Sequence, residues 1–227
     1  MKRVTLFAGH YGSGKTNIAI NYAMHVKELG LPVVIADLDI VNPYFRTVDS
    51  VEELEALGIK LVSSDYAGSN VDFPALPGEV YSLFDDATSY AVMDIGGDDR
   101  GAYALGRYRD LILSENNYDM FLVINKYRPL TATPELCIEC MKEIEEAAGI
   151  KFTGIVNNSN LGSETTLKDV EKSYSYALDV SDASGLPIVA TTVADWLVTE
   201  DESAFGVFGQ KDKFIPIKLQ KKVFEED

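Results

Sequence analysis

Compact runs of apolar residues recur along the chain, separated by longer stretches in which apolar positions return every three or four residues. Residues 4–8, 32–36, 59–62, 90–95, 120–125, 152–157 and 186–191 form such runs and read as strands. Ile18, Tyr22, Val26 and Leu29 share one face of a helix that Gly30 and Pro32 end. Further helices are expected over 51–57, 101–116, 134–148 and 167–182. Strands that are apolar on both faces and alternate with helices require a parallel sheet covered on both sides. Residues 63–78, with Gly68, Pro74 and Pro77, show no period; a structureless stretch of that length is a functional loop or hides an element. No linker-like shift in composition and no repeat interrupts the alternation. The expectation is one α/β domain over 1–227, a three-layer sandwich with helices on both faces of a mostly parallel sheet.

Composition narrows the functions open to such a domain. Apolar residues make up 46% and charged residues 25%, an ordinary globular balance with enough chain for a core. Twenty Lys and Arg against thirty-six Asp and Glu leave a net charge of −16. That surface repels nucleic-acid backbones and anionic lipid alike, so neither nucleic acid nor a membrane is an expected partner. No apolar run approaches the ~18 residues of a membrane span, and Met1-Lys2-Arg3 leads into a strand-like run rather than a signal peptide. A cytoplasmic protein is the expectation.

The first strand runs straight into GHYGSGKT, residues 9–16, and a helix follows. Gly9, Gly14, Lys15 and Thr16 satisfy G-x-x-x-x-G-K-[ST] in the context that phosphate binding demands. Gly9, Gly12 and Gly14 let the backbone turn tightly and present successive amides to an anion. Ser13 and Asn17 flank the loop and the first helical turn, whose unsatisfied N–H groups add to the attraction. Lys15 reaches the β- and γ-phosphates, and the Thr16 hydroxyl can ligate Mg²⁺.

Ligands of an open parallel sheet bind beyond the carboxyl ends of its strands. Two other strands end there in aspartate, as Asp37-Leu38-Asp39 and Asp94-Ile95-Gly96-Gly97. Thr16, Asp39 and Asp94 are the expected magnesium set, since Mg²⁺ needs few protein ligands beside water and phosphate oxygens. Asp39 is also the candidate for orienting an attacking water, Asp37 shapes the site, and Gly97 would offer a bare N–H to a γ-phosphate. Asn125-Lys126-Tyr127 begins the N-K-x-D pattern that reads guanine, but Arg128 replaces its aspartate. A cation cannot accept from guanine N1–H, which points to adenine. Asn157, at the end of a later strand, could pair with a purine edge or cap a loop.

With these residues the chain resembles the MinD/ParA/nitrogenase-iron-protein class of P-loop ATPases. The resemblance covers roughly residues 1–192 and rests on GHYGSGKT, VVIADLD with residues 40–47, VMDIGG and the strand ending in Asn157. It implies an ATP- and Mg²⁺-dependent hydrolase acting as a switch. Asp39 would then position the water, Asn157 would contact adenine, and the backbone near 191–193 would lie against the base. The class carries a signature lysine at the second loop position, which crosses a nucleotide-dependent homodimer; here His10 stands there. Arg46 and Arg100 are candidates to supply the missing cation.

Cys137 and Cys140 fall on one face of an expected helix. They read first as small apolar side chains packed on the sheet. Alternatively they form half of a zinc or iron–sulfur shell completed across a dimer, as the resemblance to ATPases of tail-anchored protein targeting and nickel insertion implies. Residues 211–222 mix lysines with apolar residues, but Pro216 and the acidic end argue for a packed or frayed tail over a membrane helix. The leading expectation is an ATPase switch that gates a partner protein or matures a metallocentre. The alternative is an ATP-dependent ligase or phosphotransferase of the dethiobiotin-synthetase type, with residues 63–78 lining its pocket.

Overall fold

The computed structural model describes residues 1–39, 51–63, 79–85, 87–97, 99–198, 204–210 and 213–219. Arg46, residues 40–47 and 64–78, the side chain of Arg100 and the end of the tail lie outside what is described. Eight strands among the described residues form one sheet in which every pairing is parallel. They are β1 (Val4–Ala8), β2 (Val33–Leu38), β3 (Lys60–Ser63), β4 (Tyr90–Ile95), β5 (Tyr118–Ile124), β6 (Gly154–Asn157), β7 (Ile188–Ala194) and β8 (Phe214–Ile217), in the order β3-β2-β4-β1-β5-β6-β7-β8.

Two apolar layers cover the sheet. On one face α1 (Lys15–Glu28) and α2 (Val51–Ala56) pack Ile18, Tyr22, Val26 and Leu54 onto Phe7, Ile35, Val92, Val123 and Val156. On the other lie α3 (Glu79–Asp85), α4 (Asp99–Gly106), α5 (Arg109–Glu115), α6 (Pro134–Ala148) and α7 (Leu167–Ser184), over Leu6, Ala36, Met93, Leu122 and Ile155. The odd and even positions of each strand therefore belong to different layers, as the pleat requires. This alternation later decides which strand-end side chains reach the α1 side.

The expected three-layer α/β sandwich is the fold, with local differences. The single helix expected over 101–116 is two helices that break at Arg107 and Tyr108. Tyr108 is fully buried and packs against Tyr81, which turns the chain at that point. Leu29 was expected on the apolar face of α1; it sits beyond the last turn and is exposed. Two further elements, α3 and β8, form where the sequence pattern gives no clear period. β8 forms where a packed or frayed tail was expected, and Asn21 of α1 fixes it by donating to the Lys218 carbonyl at 2.9 Å and accepting from the Lys218 N–H at 2.8 Å. Among the described residues no helix is long and apolar enough to cross a membrane.

Candidate functional site

The loop between β1 and α1 is built by turn chemistry. His10 to Ser13 form a β-turn closed by the Ser13 N–H on the His10 carbonyl at 3.1 Å. Gly12 takes the third position with φ 76°, a value that suits glycine. Gly14 caps α1 at φ 88° with no side-chain cap, so the first helical amides keep their donors.

The loop carbonyls are tied from outside. The His10 carbonyl also accepts from Lys15 Nζ at 3.3 Å, the Gly12 carbonyl from Arg128 Nε at 2.8 Å, and the Ser13 carbonyl from Asn158 Nδ2 at 2.8 Å. The amides of Tyr11, Gly12, Gly14, Lys15 and Thr16 donate to no backbone acceptor among the described residues. Ser13 Oγ is fully buried and has no hydrogen-bond partner among them. Satisfied carbonyls behind and unsatisfied donors in front make a cradle for an anion.

Alternation brings the carboxylates to the same face. Ile35 and Val92 lie in the α1 layer, so Asp37 and Asp94, two residues on, point the same way. These two aspartates are register partners on neighbouring strands, and Asp94 pairs in turn with Phe7 of β1. Asp39 follows, with its N–H on Asp37 Oδ1 at 2.9 Å. All three are buried, as are Lys15 and Thr16. Asp39 also lies against the end of β4: a methyl group on Gly96 would come within 3.3 Å of Asp39 Oδ1. Gly97 lies on the loop itself, where an added methyl would come within 2.6 Å of the Tyr11 nitrogen and 2.7 Å of Lys15 Nζ. Gly9, Gly12, Ser13, Gly14, Lys15, Thr16, Asp39, Asp94 and Gly97 are thus brought to one edge of the sheet. Asn17 joins them through the first turn of α1.

Asn157 is the exception. It is one residue past Val156, so it faces the α7 layer. There its Nδ2 donates to Ser173 Oγ at 2.9 Å, and its Oδ1 accepts from the hydroxyl of Ser159 at 2.7 Å and from the Ser159 N–H. The neighbour Asn158 takes the place expected of it, spanning Ser13 and the Thr192 hydroxyl, the latter at 2.7 Å. Asn158, Asn160, Thr192, Val193 and Ala194 line a cleft of about 10 Å³ beside the loop, room for about one water. The Asn125-Lys126-Tyr127 stretch follows the end of β5. Lys126 Nζ lies 5.9 Å from the centre of the Tyr176 ring, and Asn125 closes a turn onto the Tyr127 N–H at 3.0 Å.

The two cysteines belong to the core. Cys137 and Cys140 are both buried between α6 and the layer beneath it. The Tyr176 hydroxyl donates to the Thr131 carbonyl, which leaves the Cys137 thiol to donate to Tyr176, 2.7 Å away. Burial pushes the Cys137 thiol up to about 11, an effect the neighbouring Tyr176 side chain only partly offsets. Held this way the thiol serves as a packing group, in keeping with the small apolar side chains expected first. Among the described residues no three His, Cys, Asp or Glu side chains converge as a metal cage. Thr16 with Asp37, Asp39 and Asp94 offers hard oxygen donors, which fit Mg²⁺ held by few protein ligands.

No family model matches the sequence, and no curated protein does. Solved structures do match. The signal recognition particle receptor FtsY from Elizabethkingia anophelis, in complex with GDP, aligns with a TM-score of 0.57 at 17% identity, over 86% of this chain and 58% of that one. FtsY from Mycoplasma mycoides aligns with a TM-score of 0.57 at 19% identity, over 86% and 60%. The cell division protein FtsY from Thermotoga maritima gives 0.59 at 19%, over 84% and 61%. The chain spans about three-fifths of the length of these proteins. The all-parallel sheet with helices on both faces is the α/β fold of P-loop nucleoside triphosphatases.

Proposed function

We propose that this protein is a Mg²⁺-dependent, ATP-binding and ATP-hydrolysing switch of the MinD/ParA-like kind. The observation that carries the reading is the loop itself: its carbonyls are bonded by Lys15, Arg128 and Asn158, while the amides of Tyr11, Gly12, Gly14, Lys15 and Thr16 meet no backbone acceptor and the Ser13 hydroxyl no partner among the described residues. A polyphosphate supplies those acceptors. Thr16, Asp94 and Asp39 would hold Mg²⁺, which when bound neutralises phosphate charge. Lys15 stabilises the same charge from the protein side, and Asp39 orients a water.

Gly97 lies against the loop amide of Tyr11 and the Lys15 ammonium. Phosphate binding in that space moves the chain after β4, and with it the start of α4, which gives the switch its moving part. The exposed Tyr11, Tyr103, Leu130 and Trp196 follow strand ends on the same edge and support a second protein there, a further copy or a partner. Arg128 in the place of the guanine-reading aspartate supports adenine. The base would lie near the cleft that Asn158 and Thr192 line, and Asn157 has no part in it.

GDP in the Elizabethkingia FtsY structure favours a guanine nucleotide as the second reading. Competition of unlabelled ATP and GTP against a fluorescent ATP analogue, with and without Mg²⁺, separates the two. ATP displacing at lower concentration than GTP, with phosphate released from ATP in a Mg²⁺-dependent way, is the expected result. Preference for GTP overturns the adenine assignment, and no displacement by either overturns the function.

A further inference from the structure

We propose that Arg128 is a positioning residue of the phosphate site, and that it supplies a permanent positive charge beside the loop. The inference rests on the nucleotide-binding reading above and extends it to a residue that the loop motif does not contain.

Arg128 is held before any ligand arrives. Asn125 accepts from the Tyr127 N–H at 3.0 Å, and the Arg128 N–H closes the turn onto the Asn125 carbonyl at 3.1 Å. Pro129 then fixes the exit, with Arg128 extended at φ −103° and ψ 130°, and the Thr131 hydroxyl returns to the Asn125 carbonyl at 2.9 Å. From this stiff turn the guanidinium lies along Gly12. Its Nε donates to the Gly12 carbonyl, and a methyl on Gly12 would meet Nε at 3.4 Å and Cζ at 3.8 Å.

Two consequences follow. The bond pins the glycine on which the loop turn depends, in a conformation that costs any other residue strain. The remaining guanidinium N–H groups donate to no acceptor among the described residues, so the charge stays on the solvent side of the loop. On a chain of net charge −16 a triphosphate approaches against repulsion, and a fixed cation at the loop offsets it locally. An arginine suits both tasks: its charge is permanent, and its planar fork can bond through Nε while the terminal nitrogens remain available.

The test measures binding of Mg²⁺-ATP and Mg²⁺-ADP to wild type and to Arg128→Gln, Arg128→Lys and Lys15→Ala over a range of salt, with melting of each apoprotein as the check on folding. Arg128→Gln is expected to weaken both nucleotides about tenfold and to flatten the dependence of affinity on salt. Arg128→Lys restores charge without the fork, so it regains the salt dependence and part of the affinity. Arg128→Gln binding within twofold of wild type, while Lys15→Ala binds neither nucleotide, overturns this inference and leaves the nucleotide reading standing. A loss in Arg128→Gln that is equal at all salt concentrations and not relieved by lysine makes Arg128 a neutral brace, which also overturns it. If Lys15→Ala binds both nucleotides as wild type does, the nucleotide reading itself falls, and this inference with it.

Discussion

Strand β1 has a buried cation near each end, and the two are treated in opposite ways. Arg3, at its start, gives Nε and Nη2 to the two oxygens of Glu115, and Nη1 to the carbonyls of Leu83 at 3.0 Å and Ser89 at 2.9 Å. Phe84 packs its ring 6.0 Å from the guanidinium carbon. Lys15, beyond the other end, is at least as buried but has a single bond among the described residues, to the His10 carbonyl at 3.3 Å. A buried charge costs stability unless hydrogen bonds and an opposite charge compensate it. Arg3 is compensated within the chain and ties β1 to α3 and α5. Lys15 is compensated far less, which suits a group whose partner is to come from outside. The same contrast separates the two edges of the sheet: one closes on itself, and the other presents donors and carboxylates.

The comparison breaks most visibly at Arg3. Arg3→Ala leaves the half-buried Glu115 carboxylate and the Leu83 and Ser89 carbonyls without their donor, and about 2–3 kcal/mol of stability should be lost in a urea titration, with nucleotide affinity of the folded fraction unchanged. Lys15→Ala should do the reverse: at least about 100-fold weaker Mg²⁺-ATP binding by calorimetry, and a melting temperature equal to or above wild type. Equal loss of stability in the two variants would erase the distinction. Gly97→Ala sharpens it at the open edge, because the added methyl meets Lys15 Nζ and the Tyr11 nitrogen. The triphosphate is expected to weaken about tenfold and the diphosphate less.

Cys137 belongs to neither edge and gives the smallest effect. Its raised thiol pKa means that an unfolded chain releases this proton first, near pH 9, and the folded chain only near pH 11. Its contribution is therefore complete below about pH 9 and lost as pH rises through 11. Alkaline unfolding of Cys137→Ala should lack a part of the wild-type decline, on the order of 1 kcal/mol.

Much of this was legible in the sequence, for identifiable reasons. GHYGSGKT between an apolar run and a helix placed the cradle, and the strand ends at Asp37 and Asp94 placed the carboxylates, because a parallel sheet sends all such ends to one edge. Asn157 and Asn158 could not be told apart, since β6 is apolar on both faces and alternation has no polar side to mark it. Counting by twos from Val156 would have given the answer only once the layer of Val156 was known. Arg128 was noticed for the aspartate it replaces, but its contact with Gly12 joins residues 116 positions apart that no local pattern connects. β8 is short and carries Pro216, which speaks against a helix and leaves no clear strand pattern; at the edge of a sheet a proline is tolerated.

The grip of Asn21 on Lys218 joins α1 to a segment 197 residues later, through the same donor–acceptor pair that a neighbouring strand would use. Loosening or tightening of α1 is thereby transmitted to an amide far along the chain. The exchange rate of the Lys218 amide proton becomes a remote gauge of events at the cradle, slowing when a ligand steadies the helix and quickening when it departs.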